Sequence, residues 1–477
     1  MGQEKAEILK MIVMKFGGSS LATGERIAHA ADLTLRYQDR RPLLVVSAMG
    51  GVTDALIGAA RQALQGRKAL PAVEDQLASL KERHVTALTS LAMPADVLPL
   101  RSFYDTAFVE LHEICTGIAL LGELSPRSLD AVSAYGEKLS APLMAAALRA
   151  RSQPAEAISA EELLLTDATY GRAHPLMEAS RAKTQARLAP LLDAGVVPVI
   201  TGFIGATEDG VTTTVGRNGS DYSASIFGAL LDATEILIWT DVDGILSADP
   251  RAVPSAQSLP MLSYAEAAEL TYFGSKVLHP AAIVPAVEAV IPLRIVNTFN
   301  PQHPGTVLAK DPEDSPHAVK AVTVIHSLAL ITVQGVGMSG VVGAAARVFG
   351  AVARADVSVL MISQASSESN ICFVVPEQDL ARTEHMLRQD LADQLKHHEV
   401  DAVAAITPVA IVTVVGSGMA GTPGVAGRLF QAMGRAGVNI IAIAQGSTEI
   451  SISFVVQDAQ SMAAVHAAHA EFVEEQQ

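Results

Sequence analysis

The amino-acid sequence predicts an α/β protein in which a mainly parallel sheet, with helices on both faces, is followed by two small α/β modules. Three observations lead to this prediction. Short apolar runs alternate with helical patterns, glycine-rich turns follow several of those runs, and one segment near the C-terminus is repeated. Hydrophobic residues make up 49% of the 477 residues but aromatic residues only 4%, which is typical of layered folds with buried strands rich in valine, isoleucine and leucine.

The alternation of strand, turn and helix predicts the sheet. Apolar runs predict strands at residues 12–16, 43–47, 196–200 and 236–239, whereas 54–122 and 181–194 are predicted to be helical. Glycine-rich or polar turns follow three of these strands, at 17–20, 48–51 and 240–244. Strands that alternate with helices favour parallel pairing, and parallel sheets bind ligands at the carboxyl ends of their strands. We therefore expect the functional site at these turns.

An internal repeat occupies the C-terminal part. Residues 331–375 match 412–456 without a gap, at a constant offset of 81 positions that carries Gly335 onto Gly416. Other matched pairs are Gly337 and Gly418, Met338 and Met419, Gly340 and Gly421, Gly343 and Gly424, Gln364 and Gln445, Ser366 and Ser447, and Glu368 and Glu449. The duplication predicts a pair of regulatory or dimerisation modules. With the proline- and charge-rich stretch 300–320 as the boundary, the predicted domains are 1–310, 321–405 and 406–477, and interleaving of strands between the two modules stays open.

The charge balance excludes several classes of partner. The chain has 34 basic and 50 acidic residues, a net charge of −16, and no cluster of lysine or arginine, which argues against nucleic acid and anionic membranes. The N-terminal residues have no apolar signal-peptide core, and no stretch resembles a membrane span. The two cysteines, Cys115 and Cys372, form no disulfide or metal-binding pattern. We expect a cytoplasmic protein.

A lysine and two glycines follow the first predicted strand. Gly17 and Gly18 let backbone N–H groups approach phosphate oxygens, and Lys15 can place a positive charge on the same group. The lysine precedes the glycines, unlike in the P-loop of many nucleotide-binding proteins. The alternative is an ordinary turn with a solvated lysine.

A second polar turn, at residues 216–221, opens a helix predicted to run to about residue 231. Ser220 or Asp221 can cap this helix, and its N-terminus favours an anion. The guanidinium of Arg217 has the geometry to bind a carboxylate with two hydrogen bonds. Asp221 can accept a hydrogen bond from an ammonium group or from magnesium-bound water. The alternative is a capped helix with a solvated arginine.

Four further polar segments are candidates for a site. Thr240 and Asp241 end a buried strand, Arg251 lies in the segment ADPR, Lys276 lies in FGSKVLHP, and Glu137 begins a predicted helix. Each has an ordinary explanation as a polar turn, a surface cation or a residue that complements the helix dipole. The presence of all of them on one chain favours a function.

These motifs, in this order, resemble the aspartokinase family of the amino-acid kinase fold. The matching segments are KFGGSS, VSAMGGVTD, GEKLSA, GRNGSDYSA, WTDVDGI, ADPR and FGSKVLHP, and the repeated tail resembles two ACT domains, which are ferredoxin-type α/β modules. The sequences of these motifs are most similar to the kinase half of bifunctional aspartokinase–homoserine dehydrogenases. The resemblance does not include their dehydrogenase half.

The resemblance implies transfer of the ATP γ-phosphoryl group to the β-carboxylate of L-aspartate, the first step in lysine, threonine and methionine biosynthesis. It implies that Lys15, Gly17, Gly18 and Ser19 contact the transferred phosphoryl group, that Ser47, Glu137, Arg217 and Ser220 bind aspartate, and that Thr240, Asp241, Arg251 and Lys276 hold the nucleotide. Asp221 would orient Lys15 or lie near Mg²⁺, which arrives with ATP; no other metal is expected. Leu246 departs from the family, where a tyrosine near the adenine is common.

The implied chemistry fits the residue types. The β-carboxylate of aspartate, with a pKa of about 3.9, is already ionised at neutral pH, so no general base is required. Lysines, backbone donors and Mg²⁺ suffice to bring two anions together. Two alternatives stay open: a kinase of the same fold that acts on another acid, such as glutamate or acetylglutamate, and a catalytically inactive amino-acid sensor.

Two glutamines at equivalent places in the repeat are the candidate effector residues. Gln364 and Gln445 each follow an apolar run and precede a turn with serine and glutamate. A glutamine amide can donate and accept without adding charge, which favours threonine over lysine as the feedback amino acid. The alternative is that both amides satisfy backbone groups. ACT-like modules usually pair, so we expect a homodimer or homotetramer.

Overall fold

The computed structural model describes residues 11–272, 278–310, 317–338, 341–364 and 369–474. The chain divides into two units. The first contains residues 11–245, 260–264 and 278–310, and the second contains 246–259, 265–272 and the described residues from 317 onward.

The first unit is built on a mixed, mainly parallel sheet. Its strands are β1 (Ile12–Phe16), β2 (Pro42–Val46), β3 (Ala155–Ile158), β4 (Val197–Thr201), β7 (Glu235–Thr240), β8 (Met261–Ser263), β9 (Leu293–Asn297) and β10 (Thr306–Ala309), and a separate hairpin consists of β5 (Ile204–Ala206) and β6 (Thr212–Thr214). The order across the sheet is β3-β4-β2-β1-β7-β9-β10-β8, and of these neighbours only β9 and β10 are antiparallel. The predicted fold class is confirmed.

Helices cover this sheet on both faces. Up to residue 310 the helices of this unit are α1 (Gly24–Leu35), α2 (Val52–Ala63), α3 (Leu70–Leu91), α4 (Pro94–Leu121), α5 (Pro126–Ser133), α6 (Tyr135–Arg149), α7 (Met177–Asp193), α8 (Gly219–Leu230) and α10 (Pro280–Glu288). Helix α9 (Tyr264–Tyr272) belongs to the second unit from residue 265 onward. The helices α2, α3 and α4 confirm the helical prediction for 54–122. Ile12, Met14 and Phe16 face the core formed with the early helices, and α8 packs against the other face of β1. Alternation along the strand therefore directs Lys15 toward α8.

The second unit contains a six-stranded antiparallel sheet in the order β12-β13-β11-β14-β16-β15. Its strands are β11 (Ala321–Gln334), β12 (Met361–Gln364), β13 (Asn370–Pro376), β14 (Ala402–Val415), β15 (Ala442–Gln445) and β16 (Ser451–Gln457). Its helices are α11 (Ala344–Arg354), α12 (Leu380–Asp390), α13 (Ala392–Lys396), α14 (Val425–Arg435) and α15 (Ser461–His469).

Two strands of this sheet are shared between the repeats. β11 pairs with β14 along almost its whole length, but only residues 328–334 of β11 pair with β13, and only 409–415 of β14 pair with β16. Val319 and Val322 pack in the core of the second repeat, whereas Val400 and Val403 pack in the core of the first. Each repeat thus borrows a strand segment that lies beyond its own end, and the strands are interleaved.

A short segment that follows β7 also belongs to the second unit. Ala248, Ala252 and Val253 are buried in the core of the second repeat with Phe472. The hydroxyl of Ser247 lies 2.9 Å from Nε2 of His469, and both side chains are buried.

No helix among the described residues is long and apolar enough to cross a membrane. The domain boundaries at 310 and 405 remain a proposal.

Candidate active site

A cleft of about 550 Å³ opens at the carboxyl ends of β1 and β2. Five of the predicted site residues line it: Gly18, Ser47, Glu137, Arg217 and Ser220. They come from the turn after β1, the end of β2, the first turn of α6 and the start of α8. Parallel strands bring their carboxyl ends to one edge of the sheet, and this explains why residues so far apart in sequence meet there.

A buried ion pair joins Lys15 to α8. Nζ of Lys15 lies 2.5 Å from Oδ1 of Asp221, and the two side chains are only 10% and 7% exposed. Asp221 lies in the first turn of α8. The ion pair holds Lys15 on β1 at the base of the glycine turn.

The turns after β1 and β2 approach each other closely. A Cβ atom on Gly18 would lie 3.2 Å from the carbonyl oxygen of Ala48 and 3.5 Å from Cα of Gly50. A Cβ atom on Gly17 would lie 3.4 Å from Nζ of Lys15. Glycine at these positions lets the two turns pack together. The backbone N–H of Gly17 donates to the carbonyl oxygen of Trp239 at 3.2 Å, and Gly18 lines the cleft.

The side chains of Ser47 and Ser220 are hydrogen-bonded to each other. The hydroxyl of Ser47 donates to that of Ser220 at 2.7 Å, and the carbonyl oxygen of Ser47 accepts from the hydroxyl of Ser140 at 2.7 Å. The end of β2 is thus tied to both α8 and α6. The two predicted substrate-binding serines form one hydroxyl pair at the edge of the cleft.

Glu137 is the buried acidic group of the cleft. It is 3% exposed, and Oε1 accepts from the backbone N–H of Ala48 at 3.1 Å. Its other oxygen, Oε2, is buried without a hydrogen-bond partner among the residues that the structure describes. Burial raises the pKa of this carboxyl to about 8, although Lys15 nearby opposes the increase. An ammonium group from a ligand would satisfy the unpaired oxygen.

Arg217 lies at the mouth of the cleft, where its side chain is exposed. The next residue, Asn218, has a left-handed backbone with φ of 53° and precedes the first residue of α8. The predicted caps are wrong: Ser220 and Asp221 lie inside the helix, and their side chains bond to Ser47 and Lys15 instead. The tertiary partners of these two side chains take precedence over local capping.

The residues predicted to bind the nucleotide lie in different parts of the structure, and one of them is outside the described residues. Thr240 ends β7, and its hydroxyl donates to the exposed carboxylate of Asp241 at 3.2 Å. Arg251 and Leu246 belong to the second unit, and the guanidinium of Arg251 is 85% exposed and paired with Asp249 at 2.6 Å. Lys276 lies outside the described residues.

Asp130 is a cleft residue that sequence reasoning missed. It is buried on α5, where its carboxylate accepts from the backbone N–H of Gly171 at 2.8 Å and from the hydroxyl of Thr214 at 2.7 Å. Burial raises the pKa of Asp130. Its neighbours in the sequence, Leu129 and Val132, are apolar, and an aspartate between apolar helix positions is the only local signal of its role.

The candidate effector glutamines occupy equivalent places. Gln364 ends β12 and Gln445 ends β15, the two outermost strands in the order of the sheet. Both side chains are exposed, and neither has a hydrogen-bond partner within the described ranges. The turn after Gln364, at 365–368, lies outside those ranges.

No group of three or more acidic, histidine or cysteine residues in the described structure is placed to bind a metal.

Comparison with known proteins reveals similarity along almost the whole chain. The amino acid kinase family matches residues 10–297, and the ACT domain matches 331–391 and 412–472. The chain is 37% identical over 466 residues to a chloroplastic bifunctional aspartokinase/homoserine dehydrogenase 1 of Zea mays, covering 96% of this chain and 50% of that protein. It is 33% identical over 468 residues to the chloroplastic aspartokinase 1 of Arabidopsis thaliana, covering 97% of this chain and 80% of that protein.

The solved structures of E. coli aspartokinase III share the fold. The complex with aspartate and ADP, in the R-state, matches with a TM-score of 0.80 at 29% identity, covering 97% of this chain and 99% of the other. The T-state complex with lysine and aspartate matches with a TM-score of 0.79, also at 29% identity and with the same two coverages. The chain spans about half the length of the bifunctional relatives that it matches.

Proposed function

Since the chain belongs to the aspartokinase family, we propose that it transfers the γ-phosphoryl group of ATP to the β-carboxylate of L-aspartate, giving 4-phospho-L-aspartate. The observation that carries this proposal is the buried Lys15–Asp221 pair, whose neighbours in sequence, Gly18 and Ser220, line the same cleft as Glu137 and Arg217. The relative from E. coli was solved with aspartate and ADP, which supports the same pair of ligands here.

Phosphoryl transfer in this cleft requires two anions to meet. The attacking β-carboxylate is ionised at neutral pH, and the charge of the transferred group spreads over three oxygens. Lys15 supplies a fixed positive charge, and the glycine turns supply N–H donors. Because Asp221 holds Lys15 in place, the ammonium group needs little reorganisation as the reaction proceeds.

Aspartate recognition uses groups that do not react. We assign the substrate ammonium to Glu137, whose Oε2 lacks a partner among the described residues, and the α-carboxylate to Arg217 at the cleft mouth. The hydroxyl pair of Ser47 and Ser220 borders the space between them. These contacts hold the β-carboxylate toward Lys15.

The nucleotide is assigned to Thr240, Asp241, Arg251 and Lys276, as the family resemblance implies. Mg²⁺ would enter with ATP and neutralise phosphate charge. The exposed carboxylate of Asp241, at the end of β7, is of the type that accepts from a ribose or from magnesium-bound water.

The direct test is a hydroxamate or coupled ADP assay on a panel of acids with MgATP. We expect product with aspartate and far less with glutamate or acetylglutamate. Turnover with another acid instead of aspartate would indicate a different acyl-phosphate kinase. Intact ATP binding with no turnover on any acid would indicate an inactive sensor.

We further propose feedback control by threonine at the ends of β12 and β15. The exposed, uncharged amides of Gln364 and Gln445, which have no hydrogen-bond partner among the described residues, can pair with a hydroxyl or with the zwitterion of an amino acid. Lysine would need a carboxylate for its side-chain ammonium, and neither repeat position supplies one in place of the glutamine. Pairing of these outer strands between two copies would produce the expected homodimer.

Titration with threonine and lysine on wild type, Gln364→Ala and Gln445→Ala tests this assignment. Coupling between effector and active site is typically about 1–3 kcal/mol, so inhibition should shift by about 5- to 150-fold in the variants. Inhibition by lysine alone would contradict the choice of threonine; the E. coli relative was solved in the T-state with lysine and aspartate bound.

A further inference from the structure

Residues 297–300, Asn-Thr-Phe-Asn, begin with the last residue of β9 and lie beside the turns that follow β1 and β7. The strand registers place the three strand ends next to one another, because Phe16 lies opposite Trp239 and Thr240 lies opposite Asn297. None of these four residues has a part in the proposed binding of aspartate or nucleotide. Their contacts nevertheless converge on both turns.

Thr298 bonds to three different elements. Its backbone N–H donates to the carbonyl oxygen of Thr240 at 2.8 Å, and its own carbonyl oxygen lies 2.7 Å from Nε2 of His29 on α1. Its hydroxyl lies 2.6 Å from that of Ser20, the last residue of the glycine turn, and both side chains are fully buried. A buried hydroxyl pair of this length is a directional contact that water does not replace.

The neighbours of Thr298 hold the turn after β7. The side-chain amides of Asn297 and Asn300 both donate to Oδ1 of Asp243, at 2.9 Å and 3.0 Å. The carbonyl oxygen of the Asn297 side chain accepts from the backbone N–H of Phe299 at 2.8 Å, which fixes the turn of the segment itself.

Arg26 adds an outer contact to the glycine turn. Its guanidinium lies 4.8 Å from the centroid of the Phe299 ring, and one of its nitrogens donates to the carbonyl oxygen of Ser19 at 2.7 Å. The segment therefore supports the glycine turn from two sides, through Ser20 inside and Ser19 outside.

We propose that Thr298 is a positioning residue for phosphoryl transfer. Its hydroxyl fixes Ser20, and so sets where the N–H groups of the glycine turn lie relative to Lys15. This inference rests on the proposed kinase function. It concerns the transferred group rather than aspartate binding, since Thr298 is not among the residues that line the cleft. Misplacement of reacting groups by about 1 Å can cost about 100-fold in rate.

The test is Thr298→Val, which removes the hydroxyl and nearly preserves the shape. We expect kcat to fall by about 10- to 100-fold, with the KM for aspartate changed less than twofold. Thr298→Ser keeps a hydroxyl and should restore most of the kcat. The matched control is Thr34→Val, since Thr34 is a buried threonine of α1 whose hydroxyl donates to the carbonyl oxygen of Ala30 at 2.9 Å. Its kcat should stay near that of wild type.

A double-mutant cycle with Ser20→Ala tests the route of the effect. If the two hydroxyls act through each other, Ser20→Ala should lower kcat by a similar factor, and the double variant should be no worse than either single variant. Melting temperatures of all variants show whether each protein is folded. If Thr298→Val does not fold, Ser20→Ala tests the same hydroxyl pair from the other side.

The outcomes separate the two proposals. Absence of aspartyl phosphate with wild type would overturn the kinase function itself. An active wild type with normal kcat in Thr298→Val and Ser20→Ala would overturn only the positioning role. An equal loss in Thr34→Val, or fully additive losses in the double variant, would show a general effect of buried hydroxyls and would also overturn it.

Discussion

The ion pair between Lys15 and Asp221 places two charges where little water reaches them. Removal of one partner from a buried pair leaves the other charge uncompensated, at a cost of about 3–5 kcal/mol. A loss of activity in a single variant would therefore mix catalysis with stability. Both residues have to be substituted in one protein to separate the effect on catalysis from the effect on stability.

We predict that Lys15→Met lowers kcat by about 100- to 1000-fold, because the charge acts on the developing transition state. It should also lower the melting temperature, and Asp221→Asn in the same protein should restore the melting temperature but not kcat. Lys81→Met is the control, since Lys81 pairs with Asp105 at 2.6 Å on the surface and is 38% exposed. A double variant that regains kcat would show that Lys15 is structural.

Glu137 leads to a prediction about pH. The ionised carboxylate binds an ammonium group, but burial raises the pKa of Glu137 to about 8, so below that pH most of the free protein carries a neutral Glu137. Binding of aspartate must then release a proton. The KM for aspartate should fall as pH rises toward 8, by up to about tenfold per pH unit below the pKa.

The variant Glu137→Gln tests this assignment. It should raise the KM for aspartate and remove its dependence on pH between about 6 and 8, whereas kcat should change less. Glu110, on α4, is a suitable control position, because its carboxylate accepts from the hydroxyl of Tyr135 outside the cleft. A pH dependence that persists in Glu137→Gln would assign the titration to another group.

At the scale of the elements, the close approach of the turns after β1 and β2 decides the shape of the site. The Cβ of an alanine at position 18 would meet the carbonyl oxygen of Ala48 at 3.2 Å, so one turn must move. We predict that Gly18→Ala lowers kcat by about tenfold or more. Gly117→Ala in α4 is the control, because a Cβ there meets no atom within 4 Å. It should preserve kcat and stabilise the helix by about 0.5–1 kcal/mol. Equal kcat in both variants would contradict the prediction.

At the scale of the whole molecule, the shared strands of the second unit make the two repeats dependent on each other. A fragment of residues 406–477 would lose the pairing of β14 with residues 321–325 and the packing of Val319 and Val322. We predict that it does not unfold cooperatively in urea, whereas a fragment of 317–477, which retains both halves of the sheet, does. Circular dichroism provides the measurement. Cooperative unfolding of the short fragment with an equal midpoint would disprove the dependence.

Much of the fold could be predicted from the sequence because its signals are local. Apolar runs followed by glycine turns located β1, β2, β4 and β7 to within about one residue, and a constant offset revealed the repeat. Local motifs also indicated Lys15, Gly18, Glu137 and Arg217 as site candidates, and the last three line the cleft. These residues lie at strand ends and helix starts. There, the alternation of apolar and polar residues and the residue preferences of turns produce a pattern within a few consecutive residues.

Other features depend on contacts between distant parts of the chain, and only the tertiary structure decided them. Ser20 meets Thr298, and Asp130 meets Thr214, because strand order and helix packing bring them together. Asp221 pairs with Lys15 and does not cap its helix, since a buried ion pair outweighs a local cap. Burial, which no short pattern specifies, raises the pKa of Glu137. The sequence by itself thus indicated most of the groups proposed for the site, whereas tertiary packing determined their partners, placed Asp130 in the cleft and raised the pKa of Glu137.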